Sequence, residues 1–156
     1  MAIAAMKKKG FGEKDFAVVH PKGQVARKLL RVESLMRRGQ KIPCVEVTTP
    51  MRDAIKEMSE KKIGMTCVLD ETGLLAGIIT DGDLRRMLDR FRGNLFRKTA
   101  GDCMTPDPVT IEKGDLATKA LNIMEEKKIT SLVIRNKEGK VEGIIHLHDL
   151  WRTEMF

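Results

Sequence analysis

The chain has 156 residues, of which 42% are hydrophobic, which is enough for one compact domain or two small ones around a buried core. Its longest apolar run, about six residues at positions 74–79, is far below the roughly twenty that a membrane span requires. The 29 basic and 22 acidic residues give a net charge of +7, which fits either a solvated basic surface or a phosphate-bearing ligand.

These features predict a protein with neither a membrane nor a nucleic-acid partner. Aromatic residues make up only 4% and Tyr is absent, so the stacking platforms of single-stranded nucleic-acid binders are not expected. The alternative, that the basic excess is a nucleic-acid surface, would show as binding that is lost steeply with salt. The first ten residues place small apolar residues before lysines, the reverse of a secretory signal, so we expect a cytoplasmic protein.

The cysteines and the lack of catalytic motifs also narrow the function. Cys44, Cys67 and Cys103 are odd in number and lack zinc-ligand spacing, so we expect buried free thiols and no metal site. The sequence has no nucleophile elbow, Walker loop or metal triad. We therefore expect a binding module and not an enzyme in its own right, and no cofactor is predicted.

An internal repeat organises the chain. Segments 51–84 and 117–150 align without a gap at an offset of 66 residues. Identical residues at this offset include the pairs Ala54/Ala120, Met58/Met124, Gly77/Gly143 and Asp83/Asp149. A register held over this length predicts a duplicated unit.

The elements of the first unit follow from periodicity. Apolar residues at helical spacing, with Thr49 as N-cap and Pro50 at the first helical position, predict a helix, and β-prone runs predict strands. In chain order we expect a strand within 43–47, a helix from 51, strands at 65–69 and 74–80 joined by a turn at Gly73, and a helix over 83–91.

The second unit has the same order. We expect a strand at 109–111, a helix whose stripe begins at Ala117 behind an Asp115 N-cap, strands at 131–134 and 141–146 joined at Gly139, and a helix over 149–156. Each unit is thus β-α-β-β-α, and the fold class is mixed α/β (α+β). Two such units would pack with approximate twofold symmetry and leave clefts between them.

The paired junctions resemble a known family. The tandem repeat, the strand end GIITDGDL and the preceding CMTPDPVTI resemble the CBS domain pair, or Bateman module, over about residues 32–152. This resemblance implies a regulatory sensor that binds adenosine or other nucleotides in clefts between the copies, and that forms a homodimer through the CBS pairs. We assign residues 33–95 to the first repeat and 96–156 to the second.

The leading segment narrows the resemblance. GFGEKDFAVVHPKGQVARKLLRVESLM resembles the tail of bacterial D-arabinose 5-phosphate isomerases of the Kdo pathway, in which a SIS domain precedes the CBS pair, although Lys22 and Ala26 depart from the glycines usual there. Residues 1–32 would then be the tail of the SIS domain and a linker, and Met1 would be internal or an introduced start. The catalytic SIS core would be absent here and present in cis in a tetrameric parent, where His20 would be a candidate acid/base.

The first copy of the junction has the groups that a nucleotide site requires. Thr80 ends a strand, Asp81 and Gly82 would form the turn, and Asp83 would open a helix whose free N–H groups favour a phosphate. The Thr80 hydroxyl can donate to a phosphate or sugar oxygen, and Asp83 can accept from two ribose hydroxyls. The alternative is that Asp83 merely caps the helix. Neighbours expected at the base or sugar are Gly64, Met65 and Thr66.

The second copy keeps Asp149 but carries His146 in place of the threonine and His148 in place of the glycine. An imidazole here could bind a ligand oxygen, pair with a phosphate when protonated, or serve a structural role. The two histidines of HLH would share one face of a strand, which suits a pair of metal ligands, but the sequence offers no third ligand. Thr130 and Ser131 complete the predicted ligand contacts, and the two clefts are expected to differ.

The ligand is predicted from the resemblance alone. The Kdo isomerases imply feedback by the product CMP-Kdo in lipopolysaccharide biosynthesis, since its ribose, phosphate and carboxylate match the donors and acceptors above. An adenine nucleotide, or a purely structural dimerisation role, is the alternative.

Overall fold

The computed structural model describes residues 29–153. His20 and the other predictions for residues 1–28 lie outside this range. Within it, no helix is both long and apolar enough to cross a membrane.

The two repeats have the predicted order of elements. The first contains β1 (Cys44–Glu46), α1 (Met51–Lys61), β2 (Met65–Leu69), β3 (Leu75–Thr80) and α2 (Asp81–Phe91). A 3₁₀ helix (Arg92–Arg97), α3 (Ala100–Cys103) and β4 (Thr105–Pro106) follow. The second contains β5 (Thr110–Ile111), α4 (Ala117–Lys127), β6 (Ser131–Arg135), β7 (Val141–His146) and α5 (Leu147–Trp151).

Each repeat builds its own small sheet. The sheet orders are β1-β2-β3-β4 and β5-β6-β7. The strand before the helix pairs parallel with the strand after it, and the next pair is antiparallel in both repeats. A helix must connect the parallel pair, because a short turn cannot join parallel strands. The mixed α/β class with a β-α-β-β-α unit is therefore confirmed.

The first helix of each repeat buries the predicted stripe. In α1 the buried side chains are Met51, Ala54 and Met58, and α4 buries the residues at the equivalent positions. Both helices end at a lysine in the left-handed conformation, Lys62 at φ 62° and Lys128 at φ 57°. Their N–H groups donate to the carbonyl four residues earlier, so both helices stop in the same way.

The predicted N-caps of these helices are wrong. The observed N-cap residues are Pro50 and Leu116, and neither has a side-chain cap. The hydroxyl of Thr49 accepts instead from the N–H of Glu46, and Asp115 accepts in the same way three residues back. Both side chains thus serve the turn that precedes the helix, because threonine and aspartate also bind backbone locally in turns.

The two sheets meet through a shared apolar cluster. It joins Met65 and Cys67 of the first sheet to Val133 and Ile144 of the second. Cys67 and Val133 are equivalent at the 66-residue offset, so matching positions of the repeats face the same contact. All three cysteines are free, and Cys67 and Cys103 are buried, while Cys44 is half-buried.

A segment that precedes β1 completes the second sheet. Residues 30–37, here called the leading strap, run along the second repeat. The N–H of Val32 donates to the carbonyl of Asp115 at 2.8 Å, and the Val32 side chain is fully buried in the core of that repeat. Arg37 and Ile144 exchange backbone hydrogen bonds of 2.7 and 3.1 Å. The strap therefore adds a short antiparallel edge to β7.

β4 has the same role in the first sheet. It precedes the second repeat but pairs with β3, where Thr105 lies opposite Ile78. Both contacts need a glycine opposite the incoming backbone: a Cβ on Gly77 would lie 2.6 Å from the Thr105 carbonyl oxygen, and one on Gly143 would lie 2.8 Å from that of Arg37. Each repeat is thus completed by the segment that leads into the other.

We predict that Gly143→Ala destabilises the chain by about 1–3 kcal/mol, the usual cost of overpacking, because the added methyl meets backbone that cannot rotate away. Urea unfolding followed by circular dichroism measures the change. Gly114→Ala is the matched control, since nothing lies within 4 Å of its Cβ. Equal stability of the two variants would contradict the role of the strap.

Candidate functional site

The first junction, residues 80–83, forms a reciprocal helix cap. The Thr80 hydroxyl accepts from the N–H of Asp83 at 3.1 Å, and the Asp83 carboxylate accepts from the N–H of Thr80 at 2.9 Å. α2 begins at Asp81, so the prediction that Asp81 and Gly82 form a turn before the helix is wrong. The cap explains why the helix begins two residues earlier than predicted. The Thr80 hydroxyl satisfies the N–H of Asp83, which would otherwise lack a partner in the first turn.

Asp83 is buried, with 6% of its surface exposed, and has further partners. An Nη2 of Arg86 lies 2.5 Å from its Oδ1, and the hydroxyl of Thr105 lies 3.4 Å from the same oxygen. The Arg86 side chain is 71% exposed and the Thr105 contact is long. Beyond the cap, Asp83 thus has one exposed arginine and one distant hydroxyl as partners.

The predicted neighbours of this junction divide into two groups. Gly64, at φ 72°, touches it directly, since its carbonyl accepts from the N–H of Asp81 at 2.9 Å. The side chains of Met65 and Thr66 are buried in the core, and the Thr66 hydroxyl donates to the carbonyl of Cys67 at 3.2 Å. Of the three, Gly64 alone presents a group at the helix start.

The second junction, residues 146–149, repeats the cap with an imidazole. Nδ1 of His146 accepts from the N–H of His148 at 3.1 Å, and Asp149 accepts from the N–H of His146 at 3.0 Å. The prediction that the two histidines share a strand is wrong, because α5 begins at Leu147. Their rings still contact each other edge-on, with centroids 4.6 Å apart.

The surroundings of His146 disfavour its charge. Burial, followed by the neighbouring His148, lowers the pKa of His146. Protonation at Nδ1 would also remove the acceptor that caps α5. Among residues 29–153 no group of three or more His, Cys, Asp or Glu side chains gathers where a metal could bind.

Thr130 and Ser131 lie at the start of β6, beside this junction. The carbonyl of Thr130 accepts from the N–H of Leu147 at 2.8 Å, the counterpart of the Gly64 contact in the first copy. Ser131 lies opposite His146 across the β6–β7 pair. Its hydroxyl is buried and has no hydrogen-bond partner among the described residues.

Asp149 is held by two arginines. Nε and Nη2 of Arg37 each lie 3.0 Å from a different carboxylate oxygen, and Nη2 of Arg152 lies 3.4 Å from Oδ1. Burial opposes ionisation of Asp149, but the hydrogen bonds from Arg37 and from the N–H of His146 outweigh it and lower its pKa. The carboxylate is therefore ionised at neutral pH and fixed in place.

A cleft of about 690 Å³ opens at this ion pair, between the leading strap, α1 and α5. Its size suits a nucleotide-sized molecule. Its charged lining is five basic and two acidic side chains: Arg37, Arg38, Lys41, Lys61, Arg152, Glu60 and Asp149. Sequence reasoning named only Asp149 of these. A second cavity, of about 650 Å³, lies around Glu138 and holds none of the predicted site residues.

The sequence did contain a signal for Arg37, a methionine and its following residue ahead of each repeat. Met36 and Arg37 approach Gly143 as Met104 and Thr105 approach Gly77. The two Met-containing segments are 68 residues apart, not 66, so the repeat alignment does not pair them.

We predict that the unfolding free energy falls as the pH is lowered from about 8 to about 5, in part through His146. Its folded-state pKa lies below the unfolded value of 6.5, so the folded chain binds fewer protons and stability is lost as pH falls through that value. His146→Thr, which copies the first junction, should remove about 0.5–1 kcal/mol of this pH dependence, a typical cap contribution.

Urea unfolding at each pH measures the effect. His148→Gln is the comparison variant: it keeps the backbone N–H that His146 caps but removes a neighbour that lowers the pKa of His146, so it should reduce the pH dependence only in part. An identical pH profile for wild type and His146→Thr would contradict the role given to the imidazole.

The comparison with protein-family models finds both repeats. A model described as the CBS domain matches residues 32–90 and again residues 100–150. The two matches lie over the two sheets described above.

Curated relatives are arabinose 5-phosphate isomerases named KdsD. The protein of Francisella tularensis is 44% identical over 99% of this chain and 47% of its own length. Those of Pseudomonas aeruginosa and Escherichia coli K12 are 44% and 40% identical, each over 98% of this chain. The chain spans about half the length of these relatives.

Solved structures share the fold. CBSX2 of Arabidopsis thaliana, crystallised in complex with AMP, has a TM-score of 0.69 and 26% identity, over 80% of this chain and 96% of that one. The CBS domain pair of protein MJ0100, in complex with methylthioadenosine and S-adenosyl-L-methionine, has a TM-score of 0.70 at 21% identity, over 80% and 94%. Since the family model covers both repeats, the chain belongs to the CBS domain family and carries a tandem pair of its domains.

Proposed function

We propose that this chain is the regulatory ligand-binding part of a longer, cytoplasmic D-arabinose 5-phosphate isomerase. The main support is the extent of its likeness to the KdsD enzymes, 44% identity over nearly all of this chain but about half of theirs. The remaining half of such a parent would supply the SIS domain in cis, with the isomerisation of arabinose 5-phosphate to ribulose 5-phosphate. The chain itself then senses a ligand and alters that activity.

The ligand is a nucleotide or nucleotide sugar bound between the repeats. The observation that carries this proposal is the 690 Å³ cleft, whose lining combines Asp149 and its two arginines with three further basic side chains, Arg38, Lys41 and Lys61. The buried, unpartnered hydroxyl of Ser131 offers one further polar group close to that junction. AMP in the complex of CBSX2 is a precedent for a nucleotide on the same fold.

CMP-Kdo is the favoured ligand. Its phosphate and carboxylate are both anions, and the cleft carries five basic side chains against two acidic ones. Its ribose diol suits Asp83, whose partners Arg86 and Thr105 are exposed or distant. An adenine nucleotide is the alternative and shares the ribose and phosphate but lacks the carboxylate.

Dimerisation through the CBS pairs is a further part of the proposal. Leu88 on α2, Phe96 in the following 3₁₀ helix and Trp151 on α5 are each more than half exposed, at 52%, 56% and 54%. These side chains are our candidates for the contact surface between two copies. A tetrameric parent would follow if the SIS domains also pair.

We predict that CMP-Kdo raises the thermal unfolding midpoint of this chain, because a ligand that binds only the folded state stabilises it by mass action. A thermal-shift panel with CMP-Kdo, CMP, AMP, ATP and arabinose 5-phosphate measures this. A shift with adenine nucleotides alone would mean that the chain senses adenine nucleotides and not the product CMP-Kdo. No shift with any compound at millimolar concentration would contradict a ligand-sensing role.

We also predict that Asp83→Asn weakens binding that depends on the ribose hydroxyls by about tenfold or more, since one good charge-assisted contact contributes about 1.5–3 kcal/mol. Calorimetric titration with CMP and AMP measures the change. Asp89→Asn, an exposed carboxylate on the same helix, is the control. Unchanged affinity in the Asp83 variant would show that the ribose does not bind at the first junction.

A further inference from the structure

The two junctions have different groups at one equivalent point. The backbone beside Gly77 carries Thr105, and the backbone beside Gly143 carries Arg37. Thr105 reaches Asp83 with a single hydroxyl at 3.4 Å, whereas Arg37 reaches Asp149 with two N–H groups at 3.0 Å each. At this point Asp83 has one long contact and Asp149 has a bidentate one, while each aspartate also has an arginine three residues later, Arg86 at 2.5 Å and Arg152 at 3.4 Å.

Asp149 has little capacity left to accept hydrogen bonds. Its Oδ1 receives Nη2 of Arg37 and is 3.4 Å from Nη2 of Arg152. Its Oδ2 receives Nε of Arg37 and the N–H of His146, each at 3.0 Å. A carboxylate offers about four lone-pair sites, and four N–H donors already face them. A ribose diol, which must donate both of its protons, would have to displace Arg37.

Displacing Arg37 is costly because the pair is sheltered. Only 24% of the Arg37 side chain and 8% of that of Asp149 are exposed. Removing one partner of a buried bidentate pair leaves an uncompensated charge, which costs more than breaking a surface pair. At Asp83 the diol would meet Arg86, whose side chain is 71% exposed, and a hydroxyl at 3.4 Å, whereas at Asp149 it meets a sheltered bidentate arginine.

The rest of the cleft favours anions. Arg38, Lys41 and Lys61 line it together with the two arginines on Asp149, and Glu60 is the only other acidic side chain in the lining. Arg38 and Lys61 each donate to a backbone carbonyl, of Glu33 and Gln40, which holds these long side chains at the cleft. The remaining Arg37 N–H groups have no hydrogen-bond partner within residues 29–153 and can donate to an incoming oxygen.

We propose that the cleft at Asp149 recognises the phosphate or other acidic groups of its ligand and not ribose hydroxyls, with Arg37 as the residue that determines this specificity. This inference rests on the proposed function, since it names the chemistry of the same inter-repeat site. Asp149 then positions Arg37, and ribose recognition belongs to the first junction.

The first test compares three compounds by calorimetric titration of the wild-type chain: pyrophosphate, CMP and 2′,3′-dideoxycytidine monophosphate. Pyrophosphate lacks a ribose, and the dideoxy compound keeps the phosphate without the diol. We expect all three to bind competitively at one site, and Asp83→Asn to leave the affinity for pyrophosphate within about twofold.

The second test uses Arg37→Thr, which gives the second junction the side chain of the first. It removes a cation and exposes the Asp149 carboxylate, so the affinity for pyrophosphate should fall at least about tenfold. CMP should then bind more tightly than its dideoxy form at this site. Arg52→Thr, an exposed arginine of α1 outside the cleft, is the matched control and should change neither affinity.

Arg37→Lys guards against a folding defect in Arg37→Thr, because lysine keeps the charge but not the bidentate contact. Circular dichroism of each variant establishes that it is folded, and the comparison of compounds on the wild-type chain does not depend on any variant.

The outcomes separate the two proposals. If CMP binds while pyrophosphate and the dideoxy compound do not, or if Arg37→Thr leaves the affinity for pyrophosphate unchanged, this inference is wrong and the proposed function stands. If pyrophosphate binds and no nucleotide does, the inference stands and the nucleotide ligand is wrong. If none of the compounds binds, both the inference and the proposed ligand-sensing function are wrong.

Discussion

The arrangement of the molecule depends on the backbone pairing between the leading strap and β7. Arg37 and Ile144 exchange hydrogen bonds of 2.7 and 3.1 Å, and Gly143 allows this approach because it has no side chain. The pairing closes the open edge of the second sheet, as β4 closes that of the first. It also places the Arg37 guanidinium against Asp149, so the contact that completes the fold also builds the candidate site.

Duplication explains why the junctions share a framework, and later substitution explains why they differ in chemistry. Both use a reciprocal cap in which the aspartate accepts from the N–H three residues earlier. Within that cap, the accepting group is a threonine hydroxyl in the first copy, which does not titrate, and an imidazole in the second, whose pKa is lowered by burial and by His148. The aspartate of each copy then meets a different side chain from the other repeat's leading segment. The duplicated framework thus presents different side chains at its two junctions.

Much of the fold could be predicted because each strand and helix occurs in two copies, so each could be predicted from two sequence segments. The order of strands and helices was right, and β2 and β7 have the predicted limits. The caps were less predictable, because Thr49 and Asp115 can bind either the turn before them or the helix after them. The sequence pattern does not decide between those two uses.

The candidate site was harder to predict than the fold. Arg37 and Asp149 are 112 residues apart, and their contact depends on a strap whose register differs by two residues from that of the repeat. Burial of Met65 and Thr66 could be read from their strand, but which face meets the other sheet could not. Long-range packing of this kind leaves no periodic signal in a single sequence.

The exchange of leading segments has a consequence for how the chain folds. The first sheet takes its final edge from β4, directly before β5, and the second takes its edge from the strap, before β1, so a chain cut just before β4 would leave both halves with an unpaired edge. The apolar cluster that joins Cys67 to Val133 would be exposed by the same cut. The two domains of the pair are therefore one cooperative folding unit, and they should unfold in a single transition although their sequences count as two.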